Sequence, residues 1–251
     1  MTIHWRAKAL TVPMNERQYI AAVAYDAGWA HPYRGLAWNV NPLDFAEIYT
    51  TLFESDDGWT WTRHGIVFNT ADNYSFVRSL CWDSPNSRYL MQYAGPSGGG
   101  GEDVGLAYST DLINWTDLGY VLQNGVAPAP LATVRLFGSG IIEVGGTYYM
   151  GVDEQTVLSQ VTYDIALYSS NDLAAWTREG IILQVGAGAE WDSVGILQGC
   201  LTYIDGEYVL TYTGTNDTLS GAADGGRCRR IGRATASSIT GPYTKDPANP
   251  I

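Results

Sequence analysis

Residues 109–119 read Ser-Thr-Asp-Leu-Ile-Asn-Trp-Thr-Asp-Leu-Gly. The pattern S-x-D-x3-W-T-x2-G in this stretch occurs again, at the same spacing, in residues 55–65 and 170–180. A weaker fourth copy, in residues 237–244, keeps the serine, an aromatic residue and the threonine. Self-similarity at intervals of tens of residues is typical of repeat architectures, so the chain is predicted to consist of four equivalent units.

The residue types in this motif are typical of a tight turn that is followed by a packed strand. Serine and aspartate side chains hydrogen-bond backbone N–H groups in turns, and the aromatic residue is expected to cover apolar space between neighbouring sheets. Alternating aromatic strands are predicted upstream of the copies, beginning at Gln18, Arg88, Thr147 and Glu207. A further apolar run precedes these strands, and a short apolar strand follows each complete motif. Each unit therefore reads as four antiparallel strands.

Four-stranded units repeated in this way predict an all-β fold, a β-propeller with very little helix. We expect one domain over residues 1–251, because single all-β domains reach this size. The predicted blades span residues 3–68, 74–122, 133–184 and 192–251. The number of blades in the closed ring stays open at this point, and so does self-association or a partner chain that completes the ring.

The composition narrows the range of partners. The formal charge is -12, with 26 acidic and 14 basic residues, so the surface would repel a nucleic acid backbone. No stretch approaches the roughly 20 apolar residues that span a bilayer, and residues 1–15 lack the pattern of a signal peptide. We expect a soluble protein, either cytoplasmic or part of a larger particle.

Several motifs together resemble the five-bladed β-propeller glycosidases, glycoside hydrolase family 43 and its relatives. They are S-x-D-L-x-x-W-T-x-x-G, the strand around Gly146 and Tyr148–Met150, Trp191-Asp192 ahead of Gly206-Glu207-Tyr208, and the tail Gly241-Pro242-Tyr243. The resemblance implies a carbohydrate ligand. It also implies a glutamate eleven residues before Tyr148, and Phe137 stands there. The general base expected at the start of the first inner strand is also missing, because His4-Trp5-Arg6 stands at that place.

The propeller fold itself suggests where a ligand would bind. Innermost strands begin at the ligand-binding mouth, and the loops from second to third strands lie on the same face. From these places we predict three catalytic carboxylates, Asp26, Asp153 and Asp192. The predicted substrate-binding residues are Trp5, Trp29, His31, Arg78, Arg135, Glu154 and Trp191.

The chemistry expected at such a mouth is glycoside hydrolysis, which generally uses one protonated and one ionised carboxyl group. Arg78 and Arg135 stand at equivalent places on neighbouring inner strands and suggest an anion site, which a phosphorolytic enzyme would use for phosphate. A propeller that binds carbohydrate or has a structural role, for example in a viral particle, without catalysis is the alternative. No cofactor or metal site is predicted, since the three cysteines are widely spaced, with a structural calcium ion in the central channel as the option left open.

Overall fold

The structure is a computed structural model that describes residues 18–40, 48–72, 74–96, 102–130, 135–155, 163–188, 190–216 and 228–251. In these ranges the chain forms four antiparallel sheets of four strands each. The helical element within the same ranges is a single 3-10 turn, Ser84–Asn86. The predicted fold class, a β-propeller of four-stranded antiparallel blades, is confirmed.

The strands follow one another along the chain in the order in which they pair. They are β1 (Gln18–Tyr25), β2 (Tyr33–Val40), β3 (Ile48–Ser55), β4 (Thr62–Phe68), β5 (Phe76–Asp83), β6 (Arg88–Pro96), β7 (Glu102–Ser109), β8 (Thr116–Leu122), β9 (Arg135–Val144), β10 (Thr147–Gln155), β11 (Tyr163–Ser170), β12 (Thr177–Leu183), β13 (Gly195–Ile204), β14 (Glu207–Asn216), β15 (Cys228–Ala236) and β16 (Thr244–Lys245). The first sheet is β1–β4, the second β5–β8, the third β9–β12 and the fourth β13–β16.

The chain divides into two compact units, which are described separately below. Unit 1 comprises Met1–Val77 with Leu112–Trp115 and contains the first sheet. Unit 2 comprises Arg78–Asp111 with Thr116–Ile251 and contains the third and fourth sheets and most of the second.

The repeated motif forms the turn that its residue types predict. In the third copy, the Ser170 hydroxyl oxygen accepts the Leu173 N–H at 2.9 Å, and the Asp172 carboxylate accepts the Ala175 N–H at 2.8 Å. The Trp176 indole N–H donates to the Leu173 carbonyl at 3.1 Å, which closes the turn. The first copy has the same bonds, with Ser55, Asp57 and Trp61 in the corresponding positions.

The core of unit 2 lies between its sheets. One buried cluster joins Leu90 and Leu106 of the second sheet to Met150, Tyr168 and Trp176 of the third. The motif tryptophan of the third copy therefore packs between neighbouring sheets, as predicted. A second cluster joins the third and fourth sheets through side chains that include Leu167, Ile196, Leu210 and Tyr212.

The register of the first sheet corrects one prediction. The second strand of each of the first three sheets carries a tyrosine opposite the motif serine, in the pairs Tyr33–Ser55, Tyr89–Ser109 and Tyr148–Ser170. The strand that begins at Gln18 was predicted to be a second strand, but it is β1, the first strand of its sheet. Alternating aromatic residues occur in both strands, so the pattern alone does not separate them.

Candidate functional site

One end of the sheets in unit 2 gathers charged side chains. First and third strands begin at this end, and we call it the strand-start end. Arg135 is the first residue of β9, Arg78 is the third residue of β5, and Glu102 is the first residue of β7. Asp153 lies two residues before the end of β10, and Tyr163 begins β11. We call these five residues the arginine cluster.

Arg78 holds a central place in the arginine cluster. Its Nη2 atom lies 3.6 Å from the Glu102 carboxylate, and both side chains are mostly buried. The guanidinium carbon of Arg78 also lies 4.7 Å from the centre of the Phe137 ring. Phe137 in turn packs edge-on against Tyr163, with the two ring centres 5.7 Å apart. These contacts orient the guanidinium group before any ligand binds.

Arg135 approaches the same group from the neighbouring inner strand. Burial raises the pKa of the Tyr163 phenol, and the guanidinium group of Arg135 acts on it in the opposite direction. The charge of Arg135 also acts on Glu102. The Nε atom of Arg135 is buried and has no hydrogen-bond acceptor among the described residues. One donor of this guanidinium is thus unused by the described part of the protein.

Glu102 is the partly exposed carboxyl group of the arginine cluster. Its side chain is 21% exposed, whereas Asp153 in the same cluster has no exposed surface. Burial raises the pKa of Glu102 above its ordinary value, although Arg78 and Arg135 act in the opposite direction. A carboxyl group with a raised pKa and access to solvent can hold a proton and donate it.

Asp153 is fully buried and bonded on both of its oxygens. One oxygen accepts the Ser139 hydroxyl, and the other accepts the Gln198 N–H at 2.6 Å. The next N–H, of Gly199, donates to the Ser139 hydroxyl oxygen at 3.1 Å. A bulge in β13 makes this possible, because Gln198 has a φ of 53° and the register shifts there. Burial raises the pKa of Asp153 to about 6.

Glu154 follows Asp153 along β10 and has a different environment. The Arg178 guanidinium donates to both of its oxygens, at 2.9 and 2.7 Å, and the Tyr168 hydroxyl donates to one of them at 2.5 Å. Glu154 is 5% exposed. It lies at the predicted end of the third sheet, but its oxygens are used to join β10 to β11 and β12.

Trp191 and Asp192 precede the first strand of the fourth sheet, and both contact that sheet. Asp192 has no exposed surface. It forms an ion pair with Lys245 at 2.7 Å and accepts the Tyr212 hydroxyl at 3.0 Å. The Trp191 ring stacks on Tyr212 with the centres 5.6 Å apart. A Cβ atom built on Gly214 would overlap the Trp191 ring, so glycine is needed for this packing.

The structure does not place Asp26, Trp29 and His31 where the sequence predicted them. They lie in the hairpin between β1 and β2 of unit 1, not between second and third strands. Asp26 accepts the Gly28 N–H at 2.8 Å, His31 lies 2.8 Å from Asp56 next to the motif turn, and Arg34 stacks over the Trp29 ring. This error follows from taking β1 as a second strand. The loop after β1 was then assigned to the position between second and third strands, although it joins the first and second strands. Trp5 lies outside the described residues.

Sequence reasoning therefore found part of the group that the structure assembles in unit 2. It selected Arg78, Arg135 and Asp153, which share the arginine cluster. It passed over Glu102 and Tyr163, although both stand where a third strand begins. That position was the available signal, since the predicted mouth includes the loops before third strands.

Two features of the described residues concern metal ions and membranes. Within the described ranges, no three histidine, cysteine, aspartate or glutamate side chains lie together as metal ligands would. No helix there is long and apolar enough to cross a membrane.

Both the sequence and the fold of the chain are similar to those of known proteins. Residues 127–250 match the family model described as glycosyl hydrolases family 43. No curated protein matches the chain. A thermostable family-43 glycoside hydrolase has a similar structure, with 17% identity, a TM-score of 0.68, and coverage of 96% of this chain and 76% of that one.

Two further similar structures carry bound sugars. The beta-1,2-mannobiose phosphorylase from Listeria innocua, in complex with beta-1,2-mannobiose, has 16% identity and a TM-score of 0.66, and the match covers 94% of this chain and 79% of that one. An N-acetylgalactosamine deacetylase from F. plautii, in complex with blood group B trisaccharide, has 15% identity and a TM-score of 0.67, and the match covers 90% and 74%. At these identities the structural likeness establishes the fold, and the sequence match to the family-43 model covers residues 127–250. The chain is a glycoside hydrolase-like β-propeller, as its motifs predicted.

Proposed function

We propose that the chain binds an oligosaccharide at the strand-start end of unit 2 and cleaves a glycosidic bond there, with Glu102 as the proton donor. The observation that carries this proposal is the position of Glu102: its side chain is partly exposed, lies 3.6 Å from Arg78 and feels the charge of Arg135, at the end of the sheets where propellers bind ligands. The family-43 match over residues 127–250 and the sugar complexes of similar structures support a carbohydrate substrate.

In this proposal each residue has a separate role. The protonated Glu102 carboxyl group gives its proton to the glycosidic oxygen as the bond to the anomeric carbon breaks. Water then adds to the anomeric carbon and gives one of its protons to the Glu102 carboxylate, which restores the protonated donor. Phe137, which is only partly buried, offers a ring surface to the sugar, since aromatic faces pack well against the C–H faces of pyranose rings, and the buried Tyr163 ring supports it. Asp153 is a positioning residue, because its oxygens are buried and bonded to Ser139 and β13.

The first prediction concerns Glu102. Glu102→Gln keeps the size of the side chain and removes the transferable proton, so kcat should fall by about 100-fold to 10,000-fold. Turnover is measured on aryl arabinosides, xylosides and galactosides and on the matching methyl glycosides; the loss is expected on the methyl glycosides, because their leaving group requires the proton. Oligosaccharide binding is measured separately by calorimetry. Binding should be retained, because the substitution leaves both arginines in place.

The control for this experiment is Glu179→Gln. Glu179 is an exposed residue of β12 that bonds Ser169 near the opposite end of the third sheet. It should keep wild-type kcat. If Glu102→Gln turns over as fast as wild type while the protein remains folded, Glu102 is not the proton donor.

A second candidate function is carbohydrate binding without catalysis. It is favoured by the state of the other acids in unit 2, because Asp153, Glu154 and Asp192 are all buried and bonded to protein groups. A wild-type protein that binds oligosaccharides but turns over none of the aryl glycosides would select this function.

A further inference from the structure

We infer that the arginine cluster binds the carboxylate of an acidic sugar, so that the oligosaccharide recognised by this chain contains a uronic acid. This inference rests on the proposed function, because it names the substrate class of the same site. The evidence for it is the set of contacts that Arg78 and Arg135 make with carboxyl groups in the structure.

Two other half-buried arginines of unit 2, Arg178 and Arg88, have close carboxylate partners, whereas the more exposed Arg233 lies 3.6 Å from Asp246. Arg178 makes two hydrogen bonds to Glu154, and Arg88 Nε lies 2.8 Å from the Asp83 carboxylate. Arg78 instead lies 3.6 Å from Glu102, and Arg135 forms no close ion pair with a carboxylate of the described residues. Two guanidinium groups thus share one partly exposed carboxyl group at the strand-start end.

The protein also holds these guanidinium groups in place for an anion. The Arg78 side chain is only 10% exposed and lies against the Phe137 ring. Arg135 begins β9 on the neighbouring inner strand, and its charge acts on Glu102, as the charge of Arg78 does. The planar fork of a guanidinium group matches the two oxygens of a carboxylate, and a pre-oriented fork loses little entropy on binding.

The charges within the cluster favour the same ligand. When Glu102 carries the proton that it is proposed to donate, Asp153, which is buried, is the remaining carboxyl group of the cluster. A sugar carboxylate then supplies the missing negative charge beside the ring that is cleaved. A neutral sugar would supply no negative charge to the two guanidinium groups of Arg78 and Arg135.

The test compares glycosides that differ only in the group on C5. One set is the aryl β-D-xyloside, β-D-glucoside and β-D-glucuronide, and the other is the aryl α-L-arabinopyranoside, β-D-galactoside and β-D-galacturonide. Wild-type protein should prefer the uronide of one set by about 10-fold to 100-fold in kcat/KM, the range expected for a charge-assisted hydrogen bond. Calorimetry with uronic acid oligosaccharides and neutral oligosaccharides gives the same comparison for binding.

Substitution of Arg135 identifies the group responsible. Arg135→Gln should bring the ratio of kcat/KM on the uronide to kcat/KM on the neutral glycosides down to about 1, whereas Arg135→Lys should keep part of the preference. The control is Arg63→Gln, an exposed position on β4 of unit 1. It should keep the wild-type preference, and circular dichroism checks that each variant is folded.

Three outcomes would overturn the inference. Equal use of neutral and acidic sugars would do so while leaving the proposed function intact. Turnover of neutral glycosides that depends on added inorganic phosphate would assign the arginines to a phosphate co-substrate instead. A protein that neither binds nor cleaves any of these sugars would overturn the proposed function as well.

Discussion

At the scale of single residues, Asp153 and Glu102 of the arginine cluster differ in how much of their side chains solvent can reach, and we assign them different roles for this reason. Asp153 is enclosed by Ser139 and the bulge of β13, and none of its surface is exposed. Glu102 keeps a fifth of its side-chain surface exposed and faces two arginines. Of these two groups, Glu102 can therefore reach a ligand without a rearrangement of the sheets, whereas Asp153 joins the third sheet to the fourth.

The buried state of Asp153 predicts how stability depends on pH. Its pKa is about 6 in the folded protein, against an ordinary value of 3.8. The folded state therefore binds this proton more tightly, so the free energy of unfolding falls as pH rises from about 4 to about 6 and changes little above. The contribution is on the order of 3 kcal/mol. Asp153→Asn should remove this part of the pH dependence.

Urea unfolding at pH 4.5 and pH 7.5 checks the prediction. Other buried acids, such as Glu102 and Asp103, contribute with the same sign, so wild type must be compared with the variant at each pH. The control is again Glu179→Gln. Parallel pH profiles for wild type and Asp153→Asn would contradict the assignment.

At the scale of the element, the repeated turn explains why three serines recur at one spacing. The Ser170 hydroxyl bonds both to the Asp172 carboxylate and to backbone N–H groups, and the residue is 5% exposed. These bonds fix the end of β11 so that Trp176 enters the core between two sheets. The motif is thus structural in each copy in which the structure describes its bonds.

Removal of the Ser170 hydroxyl should destabilise this turn. Ser170→Ala leaves two backbone N–H groups without their acceptor, and we expect a loss of about 1–2 kcal/mol in the free energy of unfolding. Ser169→Ala is the matched control, because that hydroxyl bonds the exposed Glu179 and should change stability by less than about 0.5 kcal/mol. Equal effects of the two substitutions in urea unfolding would show that the motif serine has no special role.

The strand pattern also shows how far the elements could be predicted. The motif turn and the strands that follow it could be placed from the sequence, because their signals are local and repeat in register. The first sheet was shifted by one strand, since β1 and β2 both carry alternating aromatic residues. The tyrosine opposite the motif serine distinguishes them, and that is a pairing between strands that no local pattern reveals.

At the scale of the whole molecule, the same shift decided which candidate residues lie at the strand-start end. The second and third sheets were assigned in the right register, so Arg78, Arg135 and Asp153 were expected at the strand-start end and lie there. Asp26 and its neighbours were assigned through the shifted first sheet and lie in another loop. The partners of Glu154 and Asp192, which are Arg178 and Lys245, come from other strands, so their ion pairs could not be foreseen.

The family match and the candidate site fall largely within one part of the molecule. Residues 127–250 include the third and fourth sheets, and the third supplies Arg135, Asp153 and Tyr163. Arg78 and Glu102 come from the second sheet, upstream of the matched segment. The chain as a whole is acidic, with a formal charge of -12. The two arginines of the cluster lie where the proposed substrate would bind.

The most direct test of this account is a crystal structure of the Glu102→Gln variant with a bound uronic acid oligosaccharide. We predict a sugar at the strand-start end of unit 2, with the glycosidic oxygen about 3 Å from the side-chain amide introduced at position 102 and a carboxylate oxygen at a similar distance from Arg135. An oligosaccharide bound elsewhere on the molecule, with the arginine cluster untouched, would contradict it.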